Sequence, residues 1–322
     1  MRADSPPKPP HDVIQIVFAA ECGYLPHAAA MLHSLLAANP GERFAFHLLQ
    51  GPDLALDESH KLEHWLAAQG VALNRVELDP ARLQHFRSSQ FFHHSIWYRI
   101  LLPELLPHLS KVLYLDADLL ITDRLRPLWE TGIDEHLFAA VINPLYPGMP
   151  NWPEQILGVP IRRYLNSGVL LLNLDRMRHQ GCVTALLDYS RNCPEGYGGT
   201  EQDALAALYH QHCLYLHPRW NVQTTFYDLR LKDLPVDRHA VRAARRNPAI
   251  VHFSGPPKPS DYRCRHPWRE AYLRHRQQTP WPLAHAEGRT LARGLLRRLP
   301  LRWALRLLAV KKALGRRRSV TP

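Results

Sequence analysis

With 322 residues, 46% of them hydrophobic, the chain has the length of one large α/β domain with additions and enough apolar residues to bury a real core. Its formal net charge is +11, but eleven of its 40 Lys and Arg stand in residues 289–322, where there is no Asp or Glu, so the remaining basic residues only balance the 29 acidic ones. A formally neutral body argues against a nucleic-acid-binding protein, and no run approaches the ~18 to 20 apolar residues of a bilayer span.

Residues 1–11 form a Pro-rich polar lead without the apolar centre of a secretory signal, and they read as disordered. Cys22, Cys182, Cys193, Cys213 and Cys264 are odd in number and lack C-x-x-C spacing, which suits free thiols in a reducing compartment. Apolar runs then alternate with amphipathic stretches. Strands are expected at Val13–Ala19, Phe44–Leu49, Val71–Glu77, Lys111–Leu115, Phe138–Ile142, Gly168–Asn173 and Ile250–Phe253. Between the early strands, His27–Ala38 carries Ala28, Met31, Leu32, Leu35 and Leu36 on one helical stripe, and Asp57–Gln69 starts with Asp57 as a cap and stops before Gly70. A further helix, Glu201–Tyr209, follows Thr200 as N-cap behind the Gly196–Gly199 stretch. The alternation predicts βαβ units around a mainly parallel sheet flanked by helices.

Four groups carry candidate chemistry. The strand Lys111–Leu115 delivers Asp116 and Asp118 to its C-terminal end, with Ala117 between them, at the place where open α/β sheets bind ligands. Two hard oxygen donors there suit Mn²⁺ or Mg²⁺; the competing reading is a solvated turn in which Asp118 caps the next segment. At the end of the last apolar run, His252 offers a ring nitrogen, Gly255 permits close backbone approach, and Lys258 supplies a point charge for phosphate; singly, each also fits an ordinary surface position. Asn166 and Gln202 bring amides of the kind that hold sugar hydroxyls, or else mark a turn before a strand and a plain helix start.

Six blocks in order, Val17-Phe-Ala-Ala-Glu-Cys-Gly-Tyr24, Trp97-Tyr-Arg-Ile100, Val112-Leu-Tyr-Leu-Asp-Ala-Asp118, Asn166-Ser-Gly-Val-Leu170, Glu201-Gln-Asp203 and His252-x-x-Gly-x-x-Lys-Pro259, resemble the bacterial family 8 glycosyltransferases of lipopolysaccharide and lipooligosaccharide core. The resemblance runs from about Val13 to Trp268. It implies a GT-A fold and a retaining transfer of galactose or glucose from a UDP-sugar to a lipid-anchored oligosaccharide. By the same resemblance, Asp116, Asp118 and His252 would hold Mn²⁺, while Ala19, Ala20, Glu21 and Tyr24 would lie at the nucleotide and Arg99 would reach the donor. Gly255 and Lys258 would lie against the diphosphate, and Asn166, Glu201 and Gln202 would surround the donor sugar. Glu21 and Glu201 replace a common Asp, Asn143 stands where Asp is common, and Ser260 stands where an aromatic residue normally follows Lys-Pro. A catalytically silent sugar-nucleotide-binding scaffold is the alternative function.

The expected division is therefore a lead at 1–11, a catalytic domain at 12–275 and a basic amphipathic tail at 276–322. Within 289–318, leucines at helical spacing between arginines fit the anionic cytoplasmic face of the bacterial inner membrane, with docking on the domain or a nucleic-acid arm as rival readings. No nucleic-acid partner is expected.

Overall fold

The computed structural model describes residues 13–21, 23–79, 94–193 and 199–288. A seven-stranded sheet runs in the order β3-β2-β1-β4-β7-β6-β8. Its strands are β1 (Ile14–Ala19), β2 (Phe44–Gln50), β3 (Leu73–Glu77), β4 (Lys111–Leu115), β6 (Phe138–Ile142), β7 (Leu165–Asn173) and β8 (Cys213–Tyr215). Only β7 runs against its neighbours, so the sheet is mainly parallel. A second sheet, β5-β10-β9, is built from β5 (Leu119–Ile121), β9 (Val222–Gln223) and β10 (Ile250–His252). The last predicted strand therefore leaves the main sheet, a correction that matters because it carries His252.

Among the described residues, helices of eight residues or more are α1 (Leu25–Ala38), α2 (Leu56–Ala67), α3 (Cys182–Asn192), α4 (Glu201–Tyr209), α5 (Arg238–Arg246) and α6 (Arg269–Arg276), with a 3-10 helix at His94–Leu101. Both faces of the main sheet are covered, which is why its central strands read as nearly unbroken apolar runs. On β1, Ile14, Ile16 and Phe18 enter one core cluster and Val17 the other; on β4, Leu113 and Leu115 face the first, Val112 and Tyr114 the second. The first cluster takes Ala28, Met31, Leu32 and Leu35 of α1, as the helical stripe predicts, together with Leu62 and Leu66 of α2. The second takes Trp97, Ile100 and Leu101 of the 3-10 helix and Ala204 and Leu205 of α4.

Three local expectations change. Asp57 is not a cap: Ala55 precedes α2 without a side-chain bond, and Asp57 lies in the first turn, where its charge faces the positive helix end. β7 begins at Leu165, so Asn166 and Ser167 sit in the strand rather than in a turn ahead of it, because β6 pairs with its start, Ile142 with Leu165 and Val141 with Asn166. The boundary expected after residue 275 falls inside α6, and the chain beyond it packs on the body: Trp281 Nε1 donates to Glu58 at 2.7 Å, and Glu287 exchanges backbone hydrogen bonds with Ser260 and Tyr262. The expected lead at 1–11 and basic segment at 289–318 lie outside the described residues. No helix among the described residues is long and apolar enough to cross a membrane.

Candidate functional site

The strand order reverses between β1 and β4: β2 and β3 lie beyond β1 on one side, and β7 lies beyond β4 on the other. Crevices at such switch points, beyond the carboxyl ends of the strands, are where open α/β sheets bind ligands. A cleft of about 900 Å³ opens there, within the size range of small-molecule sites. Every candidate site residue lines it: Ala19 at the end of β1 and Ala20, Glu21 and Tyr24 beyond it; Arg99 from the 3-10 helix; Asp116, Ala117 and Asp118 after β4; Asn143 after β6. Asn166 on β7, Glu201 and Gln202 on α4, and His252, Gly255 and Lys258 at and beyond β10 complete the set.

Asp116, Asp118 and His252 each present an oxygen or nitrogen within 4.8 Å of the others. The two sheets bring them together. Antiparallel pairing of β10 with β5 sets His252 opposite Leu119, and the Phe253 N–H donates to the Asp118 carbonyl at 3.1 Å. His252 Nε2 then lies 3.4 Å from Asp118 Oδ1 and 4.0 Å from Asp116 Oδ2. Asp118 does not cap the following segment; its other oxygen accepts from Lys258 Nζ, which also donates to the Phe253 carbonyl at 2.9 Å. Burial opposes the Asp118 charge, yet Lys258 and His252 hold its pKa well below the usual carboxylate range. The floor of the cluster is Gly168: a Cβ there would come within 2.4 Å of His252 Cε1 and 2.7 Å of Asp116 Oδ2. Two carboxylates and an imidazole crowded to a common point, over a residue that must lack a side chain, fit a divalent cation.

Arg99 lies beneath this cluster at 5% exposure. Its guanidinium donates to Asp116 Oδ1 at 2.8 Å and to the Ser167 carbonyl at 2.6 Å, stands 3.4 Å from Glu201 Oε1 and covers the Tyr114 ring. Burial works against its charge, but Asp116, Tyr114 and Glu201 more than offset it and raise its pKa. Glu201 is itself buried and accepts from Ser167 Oγ at 2.7 Å; desolvation raises its pKa, with Arg99 and Ser167 pulling the other way.

The opposite wall is made mainly of amides and hydroxyls, with the Asp203 carboxylate behind them. Thr200 and Asp203 close a capping box at the start of α4, as the Thr200 cap predicts, which aims Gln202 at β7. Gln202 Oε1 accepts from Ser167 N at 3.1 Å and Asn166 Nδ2 at 3.3 Å, and its Nε2 donates to Tyr164 Oη at 2.8 Å. Tyr164 in turn donates to Asp203 at 2.8 Å, and Asn166 Nδ2 also lies 3.3 Å from Asn143 Oδ1. Across the cleft, Ser95 Oγ donates to Glu21, and Gly255 adopts φ +74, a conformation that favours glycine. Sequence reading missed Asn221, fully buried after a short 3-10 turn, which bonds both Asn166 and His252. It stands 31 positions from one partner and 55 from the other, and no spacing or motif marks it.

The family model for glycosyl transferase family 8 matches residues 15–263. General stress protein A of Bacillus subtilis (strain 168) is 28% identical over 277 residues, which cover 84% of this chain and 95% of that protein. The lipopolysaccharide glucosyltransferase WaaO of Escherichia coli (strain K12) is 25% identical over 83% of this chain and 79% of its own. The lipopolysaccharide 1,3-galactosyltransferase of Salmonella typhimurium (strain LT2) is 24% identical over 84% and 80%. The fold is that of the galactosyltransferase LgtC, solved in complex with donor and acceptor sugar analogues: the TM-score is 0.70 at 24% identity, covering 83% of this chain and 96% of that one. That likeness makes the two-sheet architecture the expected GT-A type. With this fold, and with a family match running through all six sequence blocks, the chain belongs to glycosyl transferase family 8 and is a transferase.

Proposed function

We propose that the protein is a retaining, Mn²⁺-dependent hexosyltransferase that moves galactose or glucose from a UDP-sugar to a lipid-anchored glycan such as lipopolysaccharide core. The observation that carries this reading is the convergence of Asp116, Asp118 and His252, with Lys258 beside them, at the sheet's switch point. The names of the WaaO and 1,3-galactosyltransferase relatives support the envelope-glycan acceptor.

Asp116, Asp118 and His252 are the residues to hold Mn²⁺, with Mg²⁺ as the other hard cation the donor set accepts. The bound ion would supply Lewis acidity to the departing diphosphate. Ala19, Ala20, Glu21 and Tyr24 seat the uridine, and Gly255 and Lys258 bring a backbone approach and a positive charge to the phosphates. Arg99 supports the donor site from below through Asp116 and Glu201. Asn143, Asn166, Glu201 and Gln202 face the donor sugar. Gln202 is a poor nucleophile, being an amide whose oxygen already accepts two hydrogen bonds. Same-face displacement is therefore the preferred route, in which a UDP phosphate oxygen accepts the acceptor hydroxyl's proton and Gln202 holds the far face of the sugar. The basic, leucine-spaced segment 289–318 would keep the enzyme on the cytoplasmic face of the inner membrane, near its acceptor.

The test is UDP release from a panel of UDP-sugars with Mn²⁺ or EDTA, using wild type and Asp118→Asn. Turnover of one UDP-hexose that requires metal and disappears in the variant is expected. Binding of UDP-sugar with no turnover, even with lipopolysaccharide core present, would establish a silent binder instead.

A further inference from the structure

We infer that Asn221 is a positioning residue that locks the proton of His252 on Nδ1 and so leaves the Nε2 lone pair free for the metal; this rests on the reading of the Asp116, Asp118 and His252 cluster as a cation site. A backbone N–H can only donate, and one of them fixes the orientation of this side-chain chain. Gly168 N donates to the side chain of Asn166 at 3.0 Å, so the atom it meets must be the amide oxygen, Oδ1. That same oxygen lies 2.7 Å from the Asn221 side chain, which must therefore present its NH₂ group, Nδ2. The reverse orientation would set two oxygens against each other at that distance. With Nδ2 committed to Asn166, the Asn221 oxygen necessarily faces His252 Nδ1, at 3.0 Å. An oxygen there accepts only, so Nδ1 carries the hydrogen, and the other ring nitrogen, 3.4 Å from Asp118 and 4.0 Å from Asp116, is unprotonated in the neutral ring.

A second backbone donor gives the same answer from the other end. Ser167 N donates to Gln202 at 3.1 Å and fixes Oε1 there, so the Asn166 atom 3.3 Å from it is the NH₂ group, as the Gly168 contact also requires. Asn221 has no latitude to respond otherwise. Its side chain is at 0% exposure, its own N–H is held by the Pro218 carbonyl at 3.0 Å, and the next two residues form β9, whose register with β10 sets Gln223 opposite His252. The sugar-facing amide Asn166 and the metal-facing imidazole His252 are thus one hydrogen-bonded unit, with Asn221 as its middle member. Outer partners of this kind fix the tautomer and ring orientation of metal-binding histidines, and their loss typically weakens metal affinity about 10- to 100-fold.

Two measurements test this. Two-bond ¹H–¹⁵N correlation on metal-free, ¹⁵N-histidine-labelled wild type at about pH 8, where ordinary imidazoles are neutral, with His252→Gln identifying the signal, is expected to show the Nδ1–H form; an Nε2–H form overturns the inference without any variant having to fold. Mn²⁺ titration followed by the free-ion EPR signal is expected to show affinity about 10- to 100-fold weaker in Asn221→Ala. Wild-type affinity in Asn221→Ala overturns the inference while leaving the cation site standing. A wild type that binds no Mn²⁺ overturns the cation site and the metal-directed half of the inference, and the tautomer is still decided by the NMR result.

Discussion

The two walls of the cleft solve opposite problems. The wall at Asp116, Asp118, His252 and Lys258 draws its groups from two sheets and crowds like-charged oxygens around one point, with a single lysine and a buried arginine set against them. The wall at Tyr164, Asn166, Gln202 and Asp203 comes from β7, α4 and the residue preceding β7, and its amides and hydroxyls bond mainly to one another. Crowded charges store an affinity that a cation would satisfy. A self-paired amide network stores none, but it is rigid and presents fixed donors and acceptors. The difference separates a wall built to capture a charge from a wall built to hold a shape.

The largest expected effect comes from breaking the floor that both walls share. Gly168→Ala places a Cβ against His252 and Asp116, which cannot both stay in position. Metal-dependent turnover should fall about 100-fold, and the protein should lose about 1–3 kcal/mol of stability to overpacking. Turnover and Mn²⁺ titration of the variant check this; unchanged metal affinity would show that the cluster does not depend on the close approach.

A more selective variant, Tyr164→Phe, removes the hydroxyl joining Gln202 to Asp203 and leaves the charged wall untouched. Stability should drop by about 1–2 kcal/mol and kcat by roughly tenfold, while Mn²⁺ affinity stays at the wild-type value. Parallel loss of metal binding would mean that the walls are not separable as described.

The smallest effect near neutrality concerns the scaffold under both walls. Burial depresses the pKa values of His27 on α1 and His47 on β2 from 6.5 to about 4, Arg276 adding to it at His27 and His108 at His47. Between those values the unfolded chain binds protons that the folded chain refuses, so stability rises with pH and is lost as pH falls from about 6.5 toward 4. Each histidine should contribute a loss of about 1 kcal/mol per pH unit in that window. Thermal melts at descending pH should show the decline, and it should lessen in His47→Gln.

Local chemistry made much of this protein readable in advance. Val13–Ala19 and Lys111–Leu115 are apolar on both faces and could only be buried strands, and the Thr200 cap with Asp203 three residues on marks the start of α4 within one residue. The Asp116-Ala-Asp118 and His252-x-x-Gly-x-x-Lys258 groups were legible as halves of a clamp, since each combines hard or basic donors with a strand end. Strands β5, β8 and β9, three residues or fewer, were not legible, because segments so short take their conformation from the strand they pair with.

Residue types and their periodicity thus set which segments are strands, which face of each helix is buried and which side chains are able to bind a cation or a sugar, because those properties depend on a few neighbouring residues. That β10 leaves the main sheet and pairs with β5, bringing His252 to Asp118, depends on packing between residues more than 100 positions apart. The same holds for Asn221: its identity says only that it carries an amide, and its part in orienting His252 follows from contacts that the fold alone creates.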